Sequence, residues 1–409
     1  MFASEINLVL TNLKINLKFM KKKINLVLLS VLVAVAVSCK KPADGAPGAD
    51  GADGANGNDG LNGIDANDFC KTCHNVANWS AVEAQLEYSK HGDKEGNMAD
   101  EGMRTACAKC HSRQGFLETL ATGTDTTYSP FVGDYTLNCE VCHEFHGTLD
   151  EADFPNYALR NVPAFKSIFN KSITLDKGGS NACMSCHQNR ANTSVKVGSA
   201  TVNLDTITDA TIVKITSQRY GGHHGPQAQL YAGVGMGEYE ITGPSTYENS
   251  TGHASLTCGS CHVSSTANNT NKTGGHYYKL AVRDANNATV AGSENVTACV
   301  TCHAGTTDHD INSLQTDIKA LMLAIEGKLI TQGMMLNTGG PNGYGGVNTT
   351  GYIIGDNGTS NASSSNPRTV TAKKAKAIFN FKCIYEDYSY GVHNPKYIKA
   401  LLTNANAAL

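Results

Sequence analysis

The chain is short of the materials from which an ordinary core is built. Aromatic residues make up 7% and charged residues 17% of its 409 positions, with a single Trp beside 41 glycines. A chain so polar and so rich in Gly is expected to bury little aliphatic core of its own, so something else must supply apolar bulk. A run able to span a bilayer is also lacking. The longest apolar stretch, Ile24 to Val37, is 14 residues, where a spanning helix takes about 20. No basic stripe is present, which argues against a nucleic-acid partner. The formal charge of -3 includes Lys14, Lys18, Lys21, Lys22 and Lys23 against Glu5, and without residues 1–38 it becomes -7.

That short apolar run has the form of an export leader. Met20 is followed by three lysines, the run itself, then "AVSC" at 36–39. Residues 1–38 are read as a signal peptide whose true start is Met20. Cys39 is expected to be acylated, as in a bacterial lipobox, although Ala36 stands where a larger aliphatic residue is more usual. The plainer alternative is an ordinary signal peptide cut near Ser38. Lys40 is not the aspartate that commonly retains lipoproteins at the inner membrane. The expected location is therefore the outer membrane, facing the periplasm or the cell surface, with acyl chains as the anchor.

Residues 39–66 form the next unit. They contain "GAPGADGADGANGNDGLNGID" at 45–65, a Gly-x-y repeat of seven triplets with one Pro. The period is that of collagen, but so few triplets, filled with Asp and Asn, read as a hydrophilic spacer. Extended at about 3.1 Å per residue it would reach about 65 Å.

From Cys70 onward one pentapeptide recurs: "CKTCH", "CAKCH", "CEVCH", "CMSCH", "CGSCH" and "CVTCH". Chance predicts on the order of 0.02 copies of Cys-x-x-Cys-His in such a chain. Zinc ribbons and redox dithiols explain the cysteine pair but not a histidine fixed after each one. Covalent haem c explains both. The thiol pairs Cys70/Cys73, Cys107/Cys110, Cys139/Cys142, Cys183/Cys186, Cys258/Cys261 and Cys299/Cys302 each fall on one helical turn and bond the porphyrin. The following histidines, His74, His111, His143, His187, His262 and His303, then reach the iron as proximal ligands. Of the 14 cysteines, Cys39 and Cys383 remain, the latter a small buried hydrophobe in "AIFNFKCIY". Six macrocycles would supply the missing apolar bulk, with the haems as the core and the protein as a thin wrapping around them. Successive motifs start only 37, 32, 44, 75 and 41 residues apart, which crowds the haems together.

Eight histidines lie outside the motifs: His91, His146, His223, His224, His253, His276, His309 and His393. Six irons each want a second nitrogen donor, so the surplus argues for bis-histidine ligation throughout. His309, in the acidic "TTDHDIN", is expected to be exposed and is set aside. The remainder of the chain, 311–409, is expected to be a helical region packing on the haem-binding domain of 67–310. Its helices are one from Asn312 to near Gly333, one over Lys373 to Tyr388, and one starting at Pro395 with Asn394 as its cap. Residues 337–370 read as a Gly/Asn/Ser-rich loop. The fold class is mainly α with much irregular loop.

"DFCKTCH", Trp79, "YSKHG", "CAKCHSRQGF" and "LNCEVCHEFHG" resemble the multihaem superfamily of nitrogen- and sulfur-cycle cytochromes. Its members include pentahaem nitrite reductases, octahaem hydroxylamine oxidoreductases and the tetrahaem carrier of nitrifiers. "HHGPQAQLYAGVGMGEYE", "STGHASLTCGSCH" and "GGHYYKL" are similar to its His-rich haem surroundings, and "DYSYGVHNPKYIKALL" resembles its C-terminal helical hairpin. The likeness covers most of residues 68–402. It implies His91, His146, His253, His276 and His393 as distal ligands, with one of His223 and His224; His224 is taken as the ligand. All six motifs end in His, unlike nitrite reductases that carry Lys at the catalytic haem.

Two functions stay open. One is an electron carrier with six low-spin haems, whose partners would be redox donor and acceptor proteins or an extracellular acceptor, with oligomers possible. The other is a reductase of a small nitrogen or sulfur oxyanion, with one open iron and His223 or His224 as proton donors beside it.

Overall fold

The structure, a computed structural model, describes residues 75–92, 101–128, 130, 136–144, 159–190, 194–222, 225–234, 239–265, 270–284, 288–337 and 351–409. The leader, the tether with Cys39, the first motif (Cys70, Cys73, His74), His146 and the pair His223–His224 lie outside them. The described residues belong to one compact unit that begins at Ala66.

Among these residues the chain is mainly helical with long irregular connections, as its composition suggests. Helix α1 spans Val76–Tyr88. The motifs then appear as single turns: α2 (Ala108–His111), α4 (Cys139–Cys142), α5 (Asn181–Met184) and α7 (Cys258–His262). Between the first two lies α3 (Arg113–Thr122), capped by Ser112, whose hydroxyl accepts from the Gly115 amide at 3.0 Å. Helix α6 (Gln227–Ala232) follows the His223–His224 segment. Three longer helices complete the chain: α8 (Leu314–Thr331), α9 (Ala372–Asp387) and α10 (Pro395–Ala408).

Two small antiparallel sheets were not foreseen. Strands β1 (Phe165–Lys166) and β2 (Thr174–Leu175) form a two-stranded ribbon. The other sheet has the order β4–β3–β5–β6, from Val195–Val197 (β3), Ala200–Thr201 (β4), Ile212–Ile215 (β5) and Arg368–Thr371 (β6). Its last strand corrects the reading of 337–370 as plain loop. Within the described part of that stretch, Ile353, Ile354 and Ala362 are buried, and Arg368–Val370 pair in register with Val213–Ile215. Isolated apolar residues among Ser, Thr and Asn give too weak an alternation to announce a strand.

The expectation of a meagre aliphatic core also needs correcting. One cluster gathers Ile318, Met322, Ile325 and Leu329 from α8, most of α9, the inner face of α10, Val213 and Ile215 from β5, and Val370 from β6. Phe379 sits at its centre, stacked on Phe169 at 5.2 Å and edge-on to Tyr239 at 4.6 Å. The α8 stripe faces this core because Ile318, Met322, Ile325 and Leu329 recur on one helical face.

Polar side chains on α10 and its N-terminal connection hold the loop that leads to the site. Asn404 accepts from the Ser245 amide (2.9 Å) and donates to its carbonyl (2.8 Å). Asn394 stands at the α10 N-cap position, but its side chain does not cap the helix. It accepts from the Ser250 amide at 3.0 Å and donates to Asn249 Oδ1 at 2.8 Å instead. Tertiary docking of a loop takes the side chain away from the local role that sequence assigns it.

Candidate functional site

Each described motif makes the same tight turn. The histidine amide donates to the carbonyl of the first cysteine at 3.1 Å in Cys107–His111, 2.7 Å in Cys139–His143, 3.0 Å in Cys183–His187 and 2.8 Å in Cys299–His303. The Cys258–His262 motif is a one-turn helix closed by a reciprocal Thr257/Ser260 capping box. Both thiols and the following imidazole therefore sit on one turn. None of the eleven described cysteines is in a disulfide.

Cys302 differs from the other described motif cysteines in its exposure to the surface of the chain. Nine of the other motif cysteines are described, and all are buried or half-buried; Cys302 is exposed. The physical reason is the place of its turn, which lies at the surface with Val300, Thr301, Ala304 and Gly305 exposed around it. The spacing of Cys299, Cys302 and His303 fixes the local turn but not what packs over it.

The tertiary fold brings four of the motif histidines ring-to-ring with four histidines from outside the motifs. The ring centroids are 6.0 Å apart for His91–His187, 6.2 Å for His143–His276, 6.5 Å for His253–His303 and 6.2 Å for His262–His393. A first-row metal ion bonds an imidazole nitrogen at about 2.0–2.1 Å, so two imidazoles on opposite faces of one ion place their centroids about 6.4 Å apart. The four separations fit that spacing. No three His, Cys, Asp or Glu side chains among the described residues converge as a bare ion would require. Paired histidines instead suit an iron whose other four ligands come from a porphyrin. The residues present thus fit haem c.

The second nitrogen of several rings is also accounted for. His253 Nδ1 lies 2.9 Å from the Val392 carbonyl and His262 Nδ1 2.8 Å from the Tyr278 carbonyl. A carbonyl oxygen only accepts, so in both rings Nδ1 carries the proton and the Nε2 lone pair is kept for a metal. His187 Nδ1 meets Gln227 Oε1 at 3.2 Å, and His393 Nδ1 meets Asp387 Oδ1 at 2.7 Å. Burial, then repulsion from His187 and His262, holds His91 down to about 4; burial and then His393 hold His262 to about 4. These imidazoles are neutral donors at neutral pH. His309 differs. Its Nε2 faces the Asn295 carbonyl and its Nδ1 the Glu294 carboxylate, both at 3.0 Å, so neither nitrogen is offered to a metal. It is largely buried rather than exposed.

Neighbouring pairs share parts. Cys186 Sγ lies 3.7 Å from the Lys109 carbonyl and the Cys258 amide donates to Ser180 Oγ at 3.1 Å, which sets the His187 motif beside the other two. Tyr278 lies edge-on to His91 at 4.8 Å, is 5.7 Å from His276, and lends its carbonyl to His262. It does so at φ 59, a left-handed conformation rare for a bulky residue and typical of functional sites. Sequence reasoning missed Tyr278, Gln227 and Asp387, because none has a motif. The only signals were a carboxylate six positions before His393 and an amide beside the double histidine.

For that double histidine, only its flanks are described. A Cβ on Gly222 would come within 2.8 Å of Cys383 Sγ, and one on Gly225 within 3.5 Å of the His187 Cα. The two ends of the segment are thus pinned, one on α9 and the other on the His187 motif.

No family model matches the chain. Among curated relatives, the C-type polyheme cytochrome OmcC of Geobacter sulfurreducens is 25% identical over 352 residues, 75% of this chain and 43% of that protein. The C-type polyheme cytochrome OmcB of the same species is 25% identical over 346 residues, 74% of this chain and 44% of OmcB. The chain thus spans less than half the length of the relatives it matches. A crystal structure of the outer cell wall cytochrome OcwA superposes with a TM-score of 0.42 and 20% identity, over 80% of this chain and 50% of that one. Of the resemblance read from the sequence, the multihaem c-type class stands; the narrower nitrite reductase and hydroxylamine oxidoreductase group gains no support from these relatives.

Proposed function

We propose that this chain, a multihaem c-type cytochrome, carries electrons through a file of six low-spin irons, each held between two histidines. The observation that carries the reading is the four histidine pairs at 6.0–6.5 Å, each joining a motif histidine to one from elsewhere. Haem, when bound, supplies reversible one-electron chemistry at its iron. The protein's residues do the rest. Motif cysteines tether the ring, and imidazoles close both faces so that no substrate can reach the metal. Nδ1 acceptors such as the Val392 and Tyr278 carbonyls hold each ring in the tautomer that offers Nε2.

By count, His74 and His111 are left for two further irons, with His146 and one of His223 and His224, preferably His224, as their partners. Export and anchoring through an acylated Cys39 at the outer membrane belong to the same proposal, supported by the leader-like run at 24–37 and the lipobox-like "AVSC". Among the described residues no helix is long and apolar enough to cross a membrane. Redox proteins, or an acceptor outside the cell, would be the partners.

The test is spectroscopic. The purified protein should carry six covalent haem masses, show only low-spin ferric signals by electron paramagnetic resonance, and bind carbon monoxide poorly when reduced. His224→Ala should then open one iron, and His223→Ala should not. A high-spin centre in the wild type, with reduction of nitrite or hydroxylamine that His224→Ala abolishes, would replace the carrier by a reductase.

A further inference from the structure

Four of the paired histidines have a described hydrogen-bond partner at Nδ1, and one of these partners differs in kind. His253 and His262 meet backbone carbonyls and His187 meets an amide oxygen, all neutral. His393 meets the carboxylate of Asp387, whose side chain is fully buried, at 2.7 Å. No lysine or arginine among the described residues bridges Asp387. Its other oxygen accepts from the Ser389 hydroxyl.

Position adds to charge. Asp387 is the last residue of α9, a 16-residue helix whose C-terminal carbonyls carry the negative end of its dipole. Gln227, which accepts from His187, donates from its own amide to the Glu386 and Asp387 carbonyls at 3.5 and 3.4 Å. Negative charge and helix end therefore converge on His393 and reach the neighbouring His187 only through a neutral amide.

Resting on the reading that one iron lies between His262 and His393, we propose that Asp387 is a potential-setting residue that makes this iron the lowest-potential centre of the file. A carboxylate acceptor draws the Nδ1 proton, gives the imidazole anionic character and strengthens its donation through Nε2. A stronger donor, and a buried negative charge that solvent does not screen, both favour the ferric over the ferrous state. Since the segments of the His187 and His262 motifs meet where the Cys258 amide donates to Ser180 Oγ at 3.1 Å, the device gives the file a step at that junction. An electron arriving there is held at the His187 iron and passes the His262 iron only uphill.

The test uses the full haem-loaded chain, titrated optically and by electron paramagnetic resonance. Asp387→Asn keeps the shape and removes the charge. It should leave six low-spin haems but move the lowest-potential component, about one haem in amplitude, upward and change that centre's g values. Asp387→Glu should restore the wild-type curve. Ser389→Ala, which removes a donor competing for the carboxylate, should move the same component the other way, by less. A titration of Asp387→Asn that superimposes on wild type overturns the proposal. Should that variant not accumulate with haem, an unmoved or upward-moved component in Ser389→Ala overturns it instead. His393→Ala checks the underlying reading separately: it should create one high-spin centre, and if all irons stay low-spin His393 is no ligand, whatever Asp387 does.

Discussion

Two parts of the molecule bury apolar surface in different ways. From Leu314 to Leu409 the helices α8, α9 and α10, with strands β5 and β6 beneath, enclose a continuous cluster around Phe379, Phe381, Ile384, Ile398 and Leu401. Around the motif turns the buried groups are small islands: Phe116, Leu137, Val141, Val162 and Ala182 in one, Leu175, Met184, Ala228 and Ala232 in the other. The first part is an ordinary core that packing alone can hold. In the second, backbone turns, caps and histidine pairs set the geometry, and the apolar clusters stay small. The two meet where α9 ends and α10 begins. That connection provides His393 as one ring, Asp387 as its acceptor and the Val392 carbonyl for His253. The packed scaffold thus positions a histidine and two hydrogen-bond acceptors beside the motif turns.

Cysteines test the contrast most severely. Replacing Cys183 and Cys186 by Ser should remove one haem mass and, because this turn packs against Lys109 and Cys258 of the neighbouring motifs, cut the yield of haem-loaded protein several-fold. Mass spectrometry of the purified chain and haem staining measure both. Cys383→Ser, in the other part, should keep all six haems and lower stability by only about 1 kcal/mol, because the buried hydroxyl keeps the Asn189 side chain as its partner. Loss of haem in that variant would erase the distinction.

Phe379→Ala attacks the ordinary core directly and should cost about 3–5 kcal/mol in thermal or denaturant unfolding. The Soret band and haem count should stay unchanged at temperatures where the protein is folded. If the spectrum changes in step with stability, the two parts are one cooperative structure.

Asn394→Ala probes the seam. It loses the bonds to Ser250 and Asn249 and should cost about 1–3 kcal/mol. The effect should appear selectively as looser ligation at His253, read as a rise in carbon monoxide binding by the reduced protein.

The smallest effect is expected from Thr371→Ala. It removes the hydroxyl that accepts from the Lys374 amide at the start of α9, at a cost of about 1 kcal/mol. The redox curve should not move at all.

Much of this was readable from the chain alone because thioether attachment is local chemistry. Two thiols and an imidazole must meet one porphyrin from one turn, so Cys-x-x-Cys-His has to be contiguous, and its five described copies adopt that turn. The helices of the last hundred residues were readable for a similar reason: a buried helical face repeats its apolar residues every three to four positions. Strand β6 was not, because one Val between threonines carries no such period. The exposure of Cys302 was not legible either, since its pentapeptide reads like the other five. Nor was the pairing of histidines. His91 with His187 and His262 with His393 are contacts between distant segments, and any outside histidine could in principle serve any motif.

Composition and motif spacing thus pointed to covalent haem c and singled out the Cys-x-x-Cys-His turns as the candidate tethers. Only the tertiary structure decided which histidine faces which, that His309 spends both nitrogens on acceptors, and that, among the paired histidines with a described Nδ1 partner, His393 rests on a carboxylate. The physical reason is the range of the interactions. A covalent bond to a neighbour in sequence leaves its pattern in sequence. An axial ligand and its hydrogen-bond acceptor need only be near in space, and nearness in space is what folding supplies.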